Sequence, residues 1–170
     1  MLRNRRGFTL LELIIAMTLA VIVMAIAYPN FRAWQQSASY KEVSRKIAST
    51  MLDARARSVA SNREHRVTLT LDNGAANSAN TYVMAIGNRS RNSTLWNPVA
   101  TGSGTLTAGV EVRGVDDCSQ VDGTIAVTFT PKGGAPGAGP ATGLCVMDTT
   151  GALRFSIGVA DANTGRVAIH

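Results

Sequence analysis

Hydrophobic positions follow three successive patterns along this chain. From Phe8 to Tyr28 almost every residue is apolar, Glu12 carries the one charge, and Pro29 closes the run. A helix over residues 8–28 is roughly 30 Å long at about 1.5 Å per residue, the thickness of a bilayer's hydrocarbon core. Such a segment can span a membrane once. Residues 30–62 then contain neither glycine nor proline, and Tyr40, Val43, Ile47, Met51 and Ala54 recur at spacings of three and four. That stripe predicts an amphipathic helix that needs a cover along one face. Lys41, Glu42, Arg45, Lys46, Arg55 and Arg57 fall largely off it, with Glu42 and Lys46 placed for an i,i+4 pair. Proline lacks a backbone donor and crowds the preceding turn, so a kink or local break is expected at Pro29.

From His65 the period changes to two. Val67, Leu69 and Leu71 alternate with threonines, and residues 81–87 form a second strand candidate beyond the polar loop 72–80. Residues 88–98 read as irregular, with Leu95 and Trp96 as anchors. Further strands are expected over 105–115, 124–130, 144–147, 153–159 and 166–169. The last two face each other across the turn from Asp161 to Gly165 as a closing hairpin. The Gly/Pro-rich stretch 131–143 lacks large side chains and reads as a surface loop. The layout is α+β: a long N-terminal helix, transmembrane in its first half and amphipathic in its second, packed on an antiparallel β-sheet roll.

The apolar run differs from a secretory signal in the position of its small residue. Gly7 precedes the run instead of following it, so cleavage there leaves the hydrophobic helix on the mature chain. Glu12 also needs an explanation, because a carboxylate within a bilayer costs on the order of 2.5–3.5 kcal/mol on insertion scales. Cleavage after Gly7 would put a new α-amino group on Phe8, one helical turn from Glu12. The same carboxylate meets the positive end of the helix dipole, and in a packed fibre it can pair with a neighbour's amino terminus.

Arg6-Gly7-Phe8-Thr9-Leu10-Leu11-Glu12-Leu13, the apolar run and Tyr28-Pro29-Asn30-Phe31 together resemble the type IV prepilin signature. The resemblance implies cleavage by a prepilin peptidase between Gly7 and Phe8, N-methylation of Phe8, and assembly roles for Glu12 and Pro29. It divides the chain into a leader over 1–7, a transmembrane and filament-core helix over 8–29, an amphipathic helix over 30–62 and a β-rich globular region over 63–170. Weaker features are similar to minor pilins and pseudopilins of the FimT/GspH type: Asp53-Ala54-Arg55 with Val59-Ala60, Trp96, Val127-Thr128-Phe129, and Thr164-Gly165-Arg166-Val167. The expected partners are other pilin subunits, the peptidase and the inner membrane. The implied role is a minor pilin that primes, caps or joins a type IV pilus, with a type II secretion pseudopilin of type H or a DNA-binding minor pilin for DNA uptake as the alternatives.

Charge and composition adjust this picture slightly. The chain's formal charge of +6 falls to +3 once Arg3, Arg5 and Arg6 leave with the leader, so the charge alone does not require nucleic acid. The leader arginines hold the amino terminus in the cytoplasm, which directs the C-terminal region to the periplasm. Both cysteines, Cys118 and Cys145, then lie in the exported part, where one disulfide is expected and two free thiols are the alternative. Some FimT-like relatives bind DNA through a basic C-terminal tail. This chain matches that tail at Gly165-Arg166, and Val167-Ala168-Ile169-His170 adds no second arginine. Arg55, Arg57, Arg63, Arg66, Arg89 and Arg91 offer other basic positions.

Other chemistry lacks its pattern. His65 and His170 have no ligand-spaced partners and are expected at the surface, and Asp116, Asp117 and Asp122 do not alternate as a Ca²⁺ loop does. Lys132-Gly133-Gly134 reverses the order of a phosphate loop, and no serine sits in a nucleophile elbow. No enzymatic activity, cofactor or metal is expected.

Overall fold

A computed structural model describes residues 9–72, 80–107, 109–114, 117–139, 142–148 and 150–170. The chain divides into two compact units, Met1–Ala38 and Ser39–His170. Helix α1, Leu10–Ser61, contributes to both, and its helical backbone continues through Pro29 without the local break the sequence led us to expect. In the first unit every described residue up to Ala38 is exposed.

The second unit contains the core. Tyr40, Val43, Ile47, Met51 and Ala54 are all buried, so the stripe has found its cover. Ser44 and Thr50 are buried beside it with their hydroxyls donated to the carbonyls of Tyr40 and Lys46, which removes the cost of burying them. The helix ends at Asn62, whose φ of 54° turns the chain into the left-handed region, where asparagine serves as a helix stop. Glu42 and Lys46 do not form the expected ion pair. The Lys46 ammonium lies 5.6 Å from the centroid of the Tyr82 ring instead.

Among the described residues, eight strands form two antiparallel sheets. The first contains β1 (His65–Asp72), β2 (Thr81–Gly87), β3 (Trp96–Thr105) and β5 (Asp122–Phe129) in the order β3-β2-β1-β5. The second contains β4 (Glu111–Gly114), β6 (Leu144–Met147), β7 (Leu153–Asp161) and β8 (Arg166–Ile169) in the order β4-β6-β7-β8. Val67 pairs with Met84 on one side and Val127 on the other, and Leu69 with Tyr82 and Ile125, so three strands present one apolar face. Val112, Leu144, Val146 and Ile157 of the second sheet close the same core. Each fully buried side chain of this kind contributes about 1.5–3 kcal/mol of transfer free energy.

Two sequence expectations shift. The strand placed over 105–115 is instead the end of β3 and the separate β4, with Leu106 and Val110 buried between them. The region 88–98 is correspondingly shorter, because β3 already starts at Trp96. As an edge strand with little burial, β3 needs no alternation of apolar residues; its pairing with β2 holds it in place. Leu95 is 66% exposed and holds the loop through its backbone, whose carbonyl accepts the Asn88 N–H at 3.1 Å, whereas Trp96 is half-buried under Arg66, whose guanidinium carbon lies 3.8 Å from the ring centroid.

Candidate functional site

The candidate site for assembly is the first unit's helix. Gly7 and Phe8 lie outside the described residues. Directly after them, the Thr9 hydroxyl accepts the Glu12 backbone N–H at 3.2 Å, and the Thr9 carbonyl accepts the N–H of Leu13 at 3.2 Å. Thr9 is therefore the N-cap, satisfying one of the donors that every helix start leaves open. Thr9-Leu10-Leu11-Glu12 has the sequence of a capping box, a signal readable in the chain beside the prepilin resemblance. Glu12 is exposed, and its carboxylate has no partner among the described residues. A carboxylate in the first turn gains from the helix dipole and remains free for a cation brought by another molecule.

Beyond Glu12 the helix is bare on all sides. Leu11, Ile14, Met17, Val21, Met24 and Ile26 are each about half exposed or more. A helix hydrophobic all round requires lipid or protein around it, since monomeric proteins rarely leave apolar patches of this size in water. Among the described residues, α1 is the one helix long and apolar enough to cross a membrane. Its apolar stretch gives way to Tyr28, Phe31 and Trp34, with Phe31 and Trp34 ring centroids 5.9 Å apart and Arg32 5.1 Å from the Tyr28 ring. Aromatic residues with a nearby cation mark the level where hydrocarbon meets water. The three aromatics are visible in the sequence as well, at the end of the apolar run and just beyond it.

In the second unit Cys118 and Cys145 are joined as a disulfide, and no cysteine is free. Cys145 sits on β6, a strand buried on both faces. Arg166 lies exposed at the start of β8, opposite Asp161 in the strand register. Several of the arginines are engaged within the unit. Arg55 donates to the Gly133 carbonyl at 3.1 Å, Arg57 pairs with Asp53 at 2.9 Å, and Arg66 is stacked on Trp96.

His65 is not at the surface as expected. It is buried at the start of β1, with Nδ1 3.3 Å from the Arg63 carbonyl, because the first position of the strand faces the core with Val67 and Leu69. Burial lowers its pKa; the bond to Arg63 opposes that shift and the Arg57 charge adds to it. His170 is exposed, its backbone paired with Ser156. Of the acidic group, Asp116 lies outside the described residues, and Asp117 is held below the usual carboxylate range by its bonds with Ser119. Asp148 is depressed further, first by the Thr150 hydroxyl, then by the Ala152 N–H, with Arg154 adding an ion pair at 2.7 Å. These carboxylates organise turns. Among the described residues, no three of His, Cys, Asp and Glu come together as a metal-holding group.

A family model described as the prokaryotic N-terminal methylation motif matches residues 2–28. The match takes in Gly7, Phe8, Glu12 and the bare helix, and it marks the chain as type IV prepilin-like. Such a motif implies processing by a prepilin peptidase and assembly with other pilin subunits. No curated protein and no solved structure matches the chain.

Proposed function

We propose that this type IV prepilin-like chain is a minor pilin, anchored first in the inner membrane by residues 8–29 and then transferred into the core of a type IV pilus. The observation that carries the reading is the apolar helix with no cover on any side and one unpaired carboxylate, Glu12, in its first turn. Removing such a helix from lipid is tolerable only if other apolar helices replace the hydrocarbon, and Glu12 then needs a cation. A neighbouring subunit supplies both, through its own helix and its processed amino terminus. The leader's Arg3, Arg5 and Arg6 keep the amino end in the cytoplasm, so residues 63–170 face the periplasm, where the Cys118–Cys145 disulfide persists.

The test is Glu12→Val. It removes the charge without shortening the apolar segment, so membrane insertion is retained and recovery in sheared filaments falls at least about tenfold, the equivalent of one lost charge-assisted bond of roughly 1.4 kcal/mol or more. Equal recovery of variant and parent would contradict the pairing role. A type H pseudopilin of a secretion system would use the same anchor. Deleting the gene separates the two: a minor pilin costs the cell surface fibres and twitching, and a pseudopilin costs it secretion.

A further inference from the structure

Within the second unit, a cleft of about 460 Å³ opens at the end of α1, between the 88–95 loop, the 130–136 turn and the β7–β8 turn. Arg91 and Lys132 both line it, and neither has an ion-pair or hydrogen-bond partner among the described residues. Asn62, Ser90 and Asn163 also line it, and their side chains are equally uncommitted among the described residues. Pro131 and Pro136 supply apolar surface. The nearby carboxylate, Asp161, is engaged by the N–H of Asn163 and the hydroxyl of Thr164, both at 2.9 Å.

The walls are fixed before any ligand arrives. The buried Glu64 carboxylate accepts the N–H groups of Asn92 at 3.0 Å and Ser93 at 2.7 Å, which pins the loop bearing Arg91. Ser58 donates to the Thr130 carbonyl at 2.9 Å and Arg55 to that of Gly133 at 3.1 Å, which ties the turn bearing Lys132 to the helix. The Ala135 N–H donates to the Ala162 carbonyl at 2.7 Å, which links that turn to the one bearing Asn163. A preformed concavity loses little entropy on binding. Arg91 and Lys132 line the cleft itself, whereas the Asp161 and Glu64 carboxylates do not line it and are turned to backbone and hydroxyl donors.

We propose that this cleft binds one anionic hexose unit, a uronate or a sugar phosphate. The volume is in the range of small-ligand sites and too small for an extended polymer to enter whole. Arg91 and Lys132 suit a carboxylate or phosphate. Asparagine amides and a serine hydroxyl both donate and accept, which matches the dual character of sugar hydroxyls, and the proline rings offer a surface for the sugar's C–H face. The inference does not depend on the assembly reading, because the cleft lies wholly within Ser39–His170.

The experiment is an amide-shift NMR titration of the full chain in non-ionic detergent with glucuronate, glucose 6-phosphate, glucose and inorganic phosphate. Saturable shifts at Ser90, Arg91, Lys132 and Asn163 are expected with glucuronate or glucose 6-phosphate, and whichever binds tighter identifies the source of the charge. Arg91→Gln with Lys132→Gln should weaken that binding by about tenfold or more, while Lys41→Gln should leave it unchanged. No saturable shift at these amides, equal binding of glucose, phosphate as tight as its sugar ester, or a double variant with parental affinity and an otherwise parental spectrum would each overturn the proposal.

Discussion

Gly165 closes the β7–β8 turn at a φ of 64°, and a Cβ there would run into the carbonyl oxygen of Gly133. Left-handed backbone costs an L-residue about 1–2 kcal/mol, and the collision is with backbone that cannot rotate away. Gly165→Ala should therefore lower unfolding stability by roughly 2–3 kcal/mol in a denaturant titration of the full chain. Acid should act through His65 and Asp148. The folded-state pKa of His65 lies below its ordinary 6.5, so the unfolded chain takes up the proton first and stability falls as the pH drops below that value. Asp148, depressed from 3.8, contributes stability above that value and loses it as the pH falls towards its folded pKa. Melting temperature should thus decline in two stages, and His65→Gln should remove the first of them. These residue-level features differ in how well the chain advertises them. Glu12 stood out because a charge inside an apolar run is conspicuous. The burial of His65 is implied by its shared parity with Val67, Leu69 and Leu71, and it is easily missed because a titratable side chain at the first position of a strand is usually solvated.

At the level of elements, the amphipathic stripe of α1 was legible because its period is set by local geometry, and five apolar residues at helical spacing have one plausible use. Met51 lies on it, fully buried. Met51→Ala should cost about 2–5 kcal/mol through the lost contacts and the cavity left behind, and Leu52→Ala, half exposed one position on, should cost far less. A denaturant series on both variants measures the difference. β2, β6 and β8 were equally legible, each short and apolar between turn residues. β3 was not, because an edge strand of Gly, Ser and Thr takes its conformation from the partner's ladder. The division into two sheets was also out of reach, since strand spacing carries no record of which strands pair. The cleft at the helix end depends on four segments far apart in sequence, so it could be recognised only once they were folded together.

Taken as a whole, the molecule joins a core that satisfies itself to a helix that does not. The Ser39–His170 unit buries a contiguous apolar core and has its long cross-link made. Closing a loop with a sequence separation of 27 contributes about 3–4 kcal/mol in the chain-entropy model. The apolar helix, by contrast, has a use only in lipid or among its own kind. Everything proposed for assembly therefore requires that this helix stay on the mature chain and begin at a newly made amino terminus. The direct measurement is intact mass with N-terminal sequencing of the protein extracted from native membranes. The account predicts a chain that starts at Phe8, carries one added methyl group on its amino nitrogen and retains every residue of α1. A native chain that still begins at Met1, or one that begins downstream of the apolar helix, would contradict it.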